Sequence, residues 1–217
     1  IILLCVRWYL RYCLSYRDLE EMMAERGLQV DHTTIYRWVQ QYAPELEKRC
    51  KPHLKQTNDS WRVDETYIKV KGEWLYLYRA VDSAGNTLEF LLSEHRDTQA
   101  AKRFLARVLD ASHTTPRVIN VDRNPAYPKA VDELKAEGQL PQGCQLRPVK
   151  YLNNLIEQDH RFIKRLVKAG LGFCSFPTAW RTLRGYETMQ MIRKGQVQVG
   201  GIQAQVKFIN SLFGLAA

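Results

Sequence analysis

The chain has 217 residues, 45% apolar and 25% charged, with five cysteines and a formal net charge of +9. That is enough chain for one full domain plus a small accessory one with a real core. The apolar runs are far too short to cross a bilayer. The odd, unpaired spacing of Cys5, Cys13, Cys50, Cys144 and Cys174 argues against a disulfide framework or a zinc site and for a reducing cytosol.

The start, Ile1 to Val6, is apolar but breaks at Arg7 and has no small-residue cleavage site, so it reads as the front of a helix rather than a signal peptide. It opens on Ile1, not methionine, so a short preceding piece is expected. Ser15 is placed to cap a helix that turns Leu19, Met22 and Met23 inward, with Gly27 as its stop. Asp31 then caps a second helix carrying Ile35, Val39 and Tyr42 on one face. Two short helices joined by a tight turn form a helix-turn-helix pattern, whose second helix enters the major groove. His32, Thr33, Thr34, Arg37 and Gln41 are the candidate DNA contacts there. Arg and Gln can read base edges, and hydroxyls and His can hold phosphates. A plain helical hairpin packed on the next domain fits residues 1–50 equally well at this point.

Residues 51–60 are polar, with Pro52, and read as a linker. From residue 61 the pattern changes to strands and helices in alternation. Residues 61–70 and 73–82 are β-rich runs split by Lys71-Gly72, a hairpin signal, and 87–93 give a third strand. An amphipathic helix is expected over 98–110 and a short buried strand over 117–122. A helix follows with Asn124 as cap, then a fifth strand at 145–150 and helices from about 153 to 169 and 177 to 194. This order describes an α/β sheet with helices on its faces. Residues 195–217 form a tail with a short helix bearing Ile202, Val206, Ile209 and Phe213.

The charge is concentrated. Residues 1–50 hold seven basic and seven acidic side chains, residues 51–143 hold 14 and 13, and residues 144–194 hold ten and three. A late basic segment of this kind attracts a polyanion, and DNA or RNA is the usual one.

Three acids sit where structure alone would not choose them. Asp64 lies inside a strand of Trp, Val, Tyr and Ile, where Asp is disfavoured. Asp122 ends the short buried strand, and the carboxyl ends of strands are where sites gather in open α/β sheets. Glu157 heads a helical stripe that continues with His160, Arg161, Lys164 and Lys168, and Lys150 lies just upstream. Phosphodiester chemistry needs a nucleophile from water or a 3′-hydroxyl and a counter to developing charge. Two divalent cations about 4 Å apart supply both, and Mg²⁺ prefers hard oxygen ligands. Each acid alone also has a bland role, as a turn former or an ion-pair partner.

The segments WRVDETYIKVKGEWLYLYRAVDSAGNTLEF, VINVDRNPAY and KYLNNLIEQDHRFIKR resemble the bacterial insertion-sequence transposases with a DDE core, in the short-chain group named for insertion sequence six. Between Asp122 and Glu157 lie 34 residues (157 − 122 − 1), the spacing of that group. SYRDLEEMMAERGLQVDHTTIYRWVQQYAPELEKR resembles its helix-turn-helix region. The resemblance implies an RNase H-like domain over 61–194, a mixed five-stranded sheet flanked by helices, preceded by the small all-α domain. It implies two Mg²⁺ or Mn²⁺ ions on Asp64, Asp122 and Glu157, with Lys164 near the cut. It also implies binding to inverted-repeat ends, 3′-hydroxyl release, transfer into target DNA, work as a dimer or higher multimer, and a cytoplasmic, nucleoid-associated life. A non-catalytic DNA-binding regulator and a junction-resolving nuclease are the competing readings.

Overall fold

The computed structural model describes residues 1–149 and 154–215. In chain order the elements are α1 (Ile2–Arg11), α2 (Tyr16–Ala24), α3 (His32–Cys50), β1 (Ser60–Val70), β2 (Glu73–Asp82), β3 (Thr87–Ser93), α4 (Thr98–Ala111), β4 (Val118–Val121), α5 (Ala126–Ala136), β5 (Gln145–Pro148), α6 (Asn154–Ala169), α7 (Phe176–Arg193) and α8 (Gly201–Leu212). No helix among the described residues is long and apolar enough to cross a membrane.

The sheet has the order β3-β2-β1-β4-β5. β2 and β3 pair antiparallel, whereas β4 pairs parallel with both β1 and β5. This is the mixed five-stranded sheet that an RNase H-like domain requires. The β1–β2 link is the two residues Lys71 and Gly72, both at positive φ (50° and 86°). A tight hairpin that matches strand twist needs that pair of angles. Side chains alternate across β1. Trp61 and Val63 enter a core with Tyr78 and Ala80 of β2, Ile119 and Val121 of β4, Phe104 and Val108 of α4, and Tyr127 and Leu134 of α5. Arg62, Asp64 and Thr66 therefore take the opposite face, where His160 of α6 meets Asp64.

The helices at the chain start form as their caps dictate. Ser15 and Asp18 make a reciprocal capping box on α2. Asp31 accepts from the Thr33 amide at 2.8 Å to open α3. Leu19 and Met23 are buried, whereas Met22, expected inward, is only half-buried. Tyr42 is half-buried too and lies edge-on to Phe213; the inward stripe of α3 is Ile35, Val39, Ala43, Leu46 and Cys50. α3 runs on through Pro44.

That stripe needs more cover than α2 supplies, and α7 provides much of it. The chain divides into two compact units, one of Gln56–Lys69 and Glu73–Phe162, the other of Ile1–Lys55, Val70–Gly72 and everything from Ile163 onward. These units cut across the boundaries expected at 50 and 194. Within the helical unit Tyr9 stacks on Tyr16 (ring centroids 4.1 Å apart) and Tyr186 (5.8 Å). Gln40 donates to the Thr182 hydroxyl at 2.8 Å, and Arg184 pairs with Glu47. Gly185 is the closest approach: a Cβ there would stand 2.7 Å from both Ala43 Cβ and Leu10 Cδ2.

Candidate active site

The β1–β4 register brings two of the three expected acids side by side. Ser60 lies level with Val118, Trp61 with Ile119 and Arg62 with Asn120, an offset of 58 (118 − 60). Asp64 lies two residues beyond the last paired position of β1 and Asp122 just past the end of β4, so the two strands carry them to the same end of the sheet. Ligand oxygens of Asp64, Glu65 and Asp122 lie within 4.8 Å of one another. Glu65, the third member of this group, was not expected from the sequence. Its oxygens are already engaged: Oε1 accepts from Arg96 Nε and from Asn124 Nδ2 (2.9 Å), and Oε2 accepts from the Tyr127 hydroxyl. Its side chain is 2% exposed.

Asp122 stands just beyond β4, where the backbone is leaving the sheet. Its Oδ1 accepts from the Asn124 amide at 2.9 Å, and Arg96 Nη2 is 3.7 Å from Oδ2. Burial raises its pKa above the ordinary carboxylate value; the Asn124 amide opposes this, the Glu65 and Asp64 charges add to it, and Arg96 opposes it. Asn124 also accepts from the Ala126 amide at 3.0 Å, so it ties the turn into α5, which begins at Ala126 with Pro125 at its N-cap. Burial, and after it the Glu65 charge, drives the Tyr127 phenol well above its usual pKa, so it stays a donor. Asp64 accepts from His160 Nε2 at 3.2 Å. Asp64 and Asp122, with Glu65 beside them engaged by Arg96, Asn124 and Tyr127, offer hard carboxylate oxygens of the kind a divalent cation prefers.

Glu157 lies in the first turn of α6 with its side chain exposed, outside that carboxylate group. It precedes His160 by three residues, about 4.5 Å along the helix axis and on the same side. Arg161, Lys164 and Lys168 are all exposed and repeat at steps of four, three and four from Glu157, a single basic stripe. Lys150 lies outside the described residues. On α3, Thr33, Arg37 and Gln41 are exposed and Thr34 is half-buried. His32 is half-buried and lies 3.0 Å from Glu20 of α2.

Glu65, Arg96 and Tyr127 are participants that sequence reasoning missed; Asn124 was read only as a helix cap and His160 only as a member of the basic stripe. The only available sign was Glu65 beside Asp64, two acids in succession within an apolar strand.

A mixed sheet with acidic side chains gathered at the ends of its central strands fits the DDE polynucleotidyl transferases, enzymes that cut and join DNA strands, and the family and relatives that match place the chain in that class. A DDE domain family model matches residues 58–196. The Staphylococcus aureus transposase for insertion sequence-like element IS431mec is 44% identical over 195 residues, 89% of this chain and 84% of that protein. The S. aureus transposase for insertion sequence element IS257 in transposon Tn4003 is 43% identical over the same shares. Among solved structures, the catalytic core domain of BIV integrase is 16% identical with a TM-score of 0.46, covering 70% of this chain and 94% of that one. The HTLV-2 integrase catalytic core in complex with magnesium is 19% identical at a TM-score of 0.41, covering 52% and 72%. The chain belongs to the DDE transposases, in the insertion sequence six family.

Proposed function

We propose that Asp64, Asp122 and Glu157 hold two divalent cations, Mg²⁺ or Mn²⁺, at which the ends of an insertion sequence are cut and transferred into target DNA. The observation that carries the reading is the proximity of the Asp64 and Asp122 carboxylates, whose oxygens lie within 4.8 Å of each other at the ends of the paired strands β1 and β4. Bound there, such ions offset charge on the phosphoryl oxygens and favour the ionised form of a water or a 3′-hydroxyl. Strand transfer forms one P–O bond as it breaks another, so no outside energy source is called for.

The chain's own groups divide the remaining work. Asp64 is carried by β1, and Asp122 by the turn after β4, where the Asn124 amide and Arg96 meet its carboxylate. Glu157 is supported by its place one helical turn from His160, which touches Asp64. The engaged oxygens of Glu65 favour a structural role, with Asn124 and Arg96 fixing Asp122 through it. Arg161, Lys164 and Lys168 suit the phosphate backbone as an exposed cationic row, and Lys150 belongs to the same proposal. Thr33, Thr34, Arg37 and Gln41, on the opening turns of α3, suit an inverted-repeat end in the major groove. Joining two ends in one event calls for two or more copies of the chain, acting in the bacterial cytoplasm where the DNA lies.

The test is Asp64→Asn, Asp122→Asn and Glu157→Gln, each assayed with a transposon-end duplex, a plasmid and Mg²⁺. Cleavage and strand transfer should fall at least 100-fold while end binding persists. Full cleavage in all three variants would remove the proposal. End binding without nicking by the unaltered protein would favour the regulator reading, and nicking without joined products the resolvase reading.

A further inference from the structure

A buried polar chain leads away from Asp64 through His160 to Arg79 and Asp159. His160 Nε2 lies 3.2 Å from Asp64 Oδ2. The other ring nitrogen, Nδ1, faces Arg79 Nη1 of β2 at 3.5 Å, and Arg79 Nη2 donates to Asp159 Oδ2 at 2.7 Å. Arg79 is fully buried, Asp159 and His160 nearly so. A guanidinium has five N–H donors and no acceptor. Nδ1 can therefore meet Arg79 only as an acceptor, which places the ring proton on Nε2, aimed at Asp64.

We infer that His160 is a positioning residue: through Nε2–H it fixes the rotamer of Asp64, leaving the other carboxylate oxygen for a divalent cation. The inference rests on the reading of Asp64 as a metal ligand. Arg79 and Asp159 hold the ring in turn, and the Arg79–Asp159 pair cancels its own charge, so a cation is placed behind the site without adding repulsion toward a bound metal. The arrangement also has a second effect. Asp159 and His160 are adjacent on α6, so engaging β1 and β2 through both sets the rotation of the helix about its axis. Glu157, two and three residues before them, inherits that rotation. Partners one bond beyond a metal ligand commonly change metal affinity by 10- to 100-fold.

The experiment compares His160→Gln with His160→Asn in the full chain, with Asp64→Asn as control. Gln extends its amide N–H to about the position of Nε2; Asn keeps an acceptor near Nδ1 for Arg79 but does not reach Asp64. Mn²⁺ alone is titrated and the free ion is followed by its paramagnetic resonance signal; the metal concentration for half-maximal end cleavage is measured in parallel. His160→Asn should weaken Mn²⁺ binding at least 10-fold and raise the metal requirement to match, with end-DNA binding unchanged. His160→Gln should stay within about threefold of the unaltered protein. Equal Mn²⁺ affinity in His160→Asn and the unaltered protein, or an equal loss in Asn and Gln, would overturn the inference. Undiminished Mn²⁺ binding in Asp64→Asn would instead strike at the metal-ligand reading of Asp64 itself.

Discussion

Glu65 and Asp64 are neighbours in sequence and both acidic, yet their surroundings assign them opposite work, and two substitutions separate them. In Glu65→Gln the shape is kept and the charge is lost. The carboxylate had accepted from Arg96, Asn124 and Tyr127. The amide NH₂ must now face at least one of those donors, and Arg96 loses its closest counter-charge. A hydrogen bond to a charged group contributes about 1.5–3 kcal/mol, and Arg96 is 37% exposed, so water recovers part of the ion-pair loss. A net destabilisation of about 2–4 kcal/mol follows. At roughly 2–4 °C per kcal/mol for a chain of this size, the unit that contains the sheet should melt about 4–16 °C lower. Mn²⁺ affinity, measured well below the transition, should change by less than about threefold. Asp64→Asn should do the reverse: little or no loss of thermal stability without metal, and a loss of Mn²⁺ binding of 10-fold or more. Calorimetry and metal titration on the same samples make the comparison. A Glu65→Gln protein that melts normally and binds Mn²⁺ as poorly as Asp64→Asn would show that Glu65 is a ligand and that the reasoning from its occupied oxygens is wrong.

Three further outcomes are expected. Burial, with help from Glu65 and Asp64, raises the folded-state pKa of Asp122 above the ordinary 3.8. A raised folded pKa favours folding below 3.8, and that contribution is lost as pH rises through the folded value. Metal-free Asp122→Asn should therefore melt higher than the unaltered protein at pH 7, with the gap closing below about pH 3.8; a gap that widens in acid would reverse the assignment. Gly185→Ala forces a Cβ to 2.7 Å from Ala43 and Leu10, and should cost the helical unit about 1–3 kcal/mol in a denaturant melt, where an unchanged midpoint would disprove the close approach. Arg37→Ala should weaken end binding more than binding to scrambled duplex, whereas Lys164→Ala should weaken both alike and lower the salt slope by about one; equal loss on every duplex from Arg37→Ala would contradict base reading.

The strands were legible because β1 and β2 combine apolar alternation with a hairpin dipeptide; Asp64 stood out because it violates the preference of its strand, and Asp122 because it closes a short apolar run at its carboxyl end. The capping residues Ser15 and Asp31 announced α2 and α3 for the same local reason. What escaped was set by contacts between distant residues. Periodicity gives the face that a helix buries but not what covers it, so nothing in 176–193 showed that α7 would pack on α3. His160 looked like one more polar member of a basic stripe, because its partners Asp64 and Arg79 lie 96 and 81 positions away. Met22 and Tyr42 were placed inward by helical spacing alone, and Ala43 and Leu46 took the buried positions where α7 comes close.

The helical unit is assembled from both extremities of the polypeptide, with the catalytic sheet spliced between them. During synthesis the first fifty residues emerge long before α7 does, so the apolar stripe of α3 must wait for its cover until the sheet has been made. Grafting the helical unit from a relative would thus need both stretches, head and tail together. A fragment ending near residue 50 would leave Ile35, Val39 and Leu46 open to water.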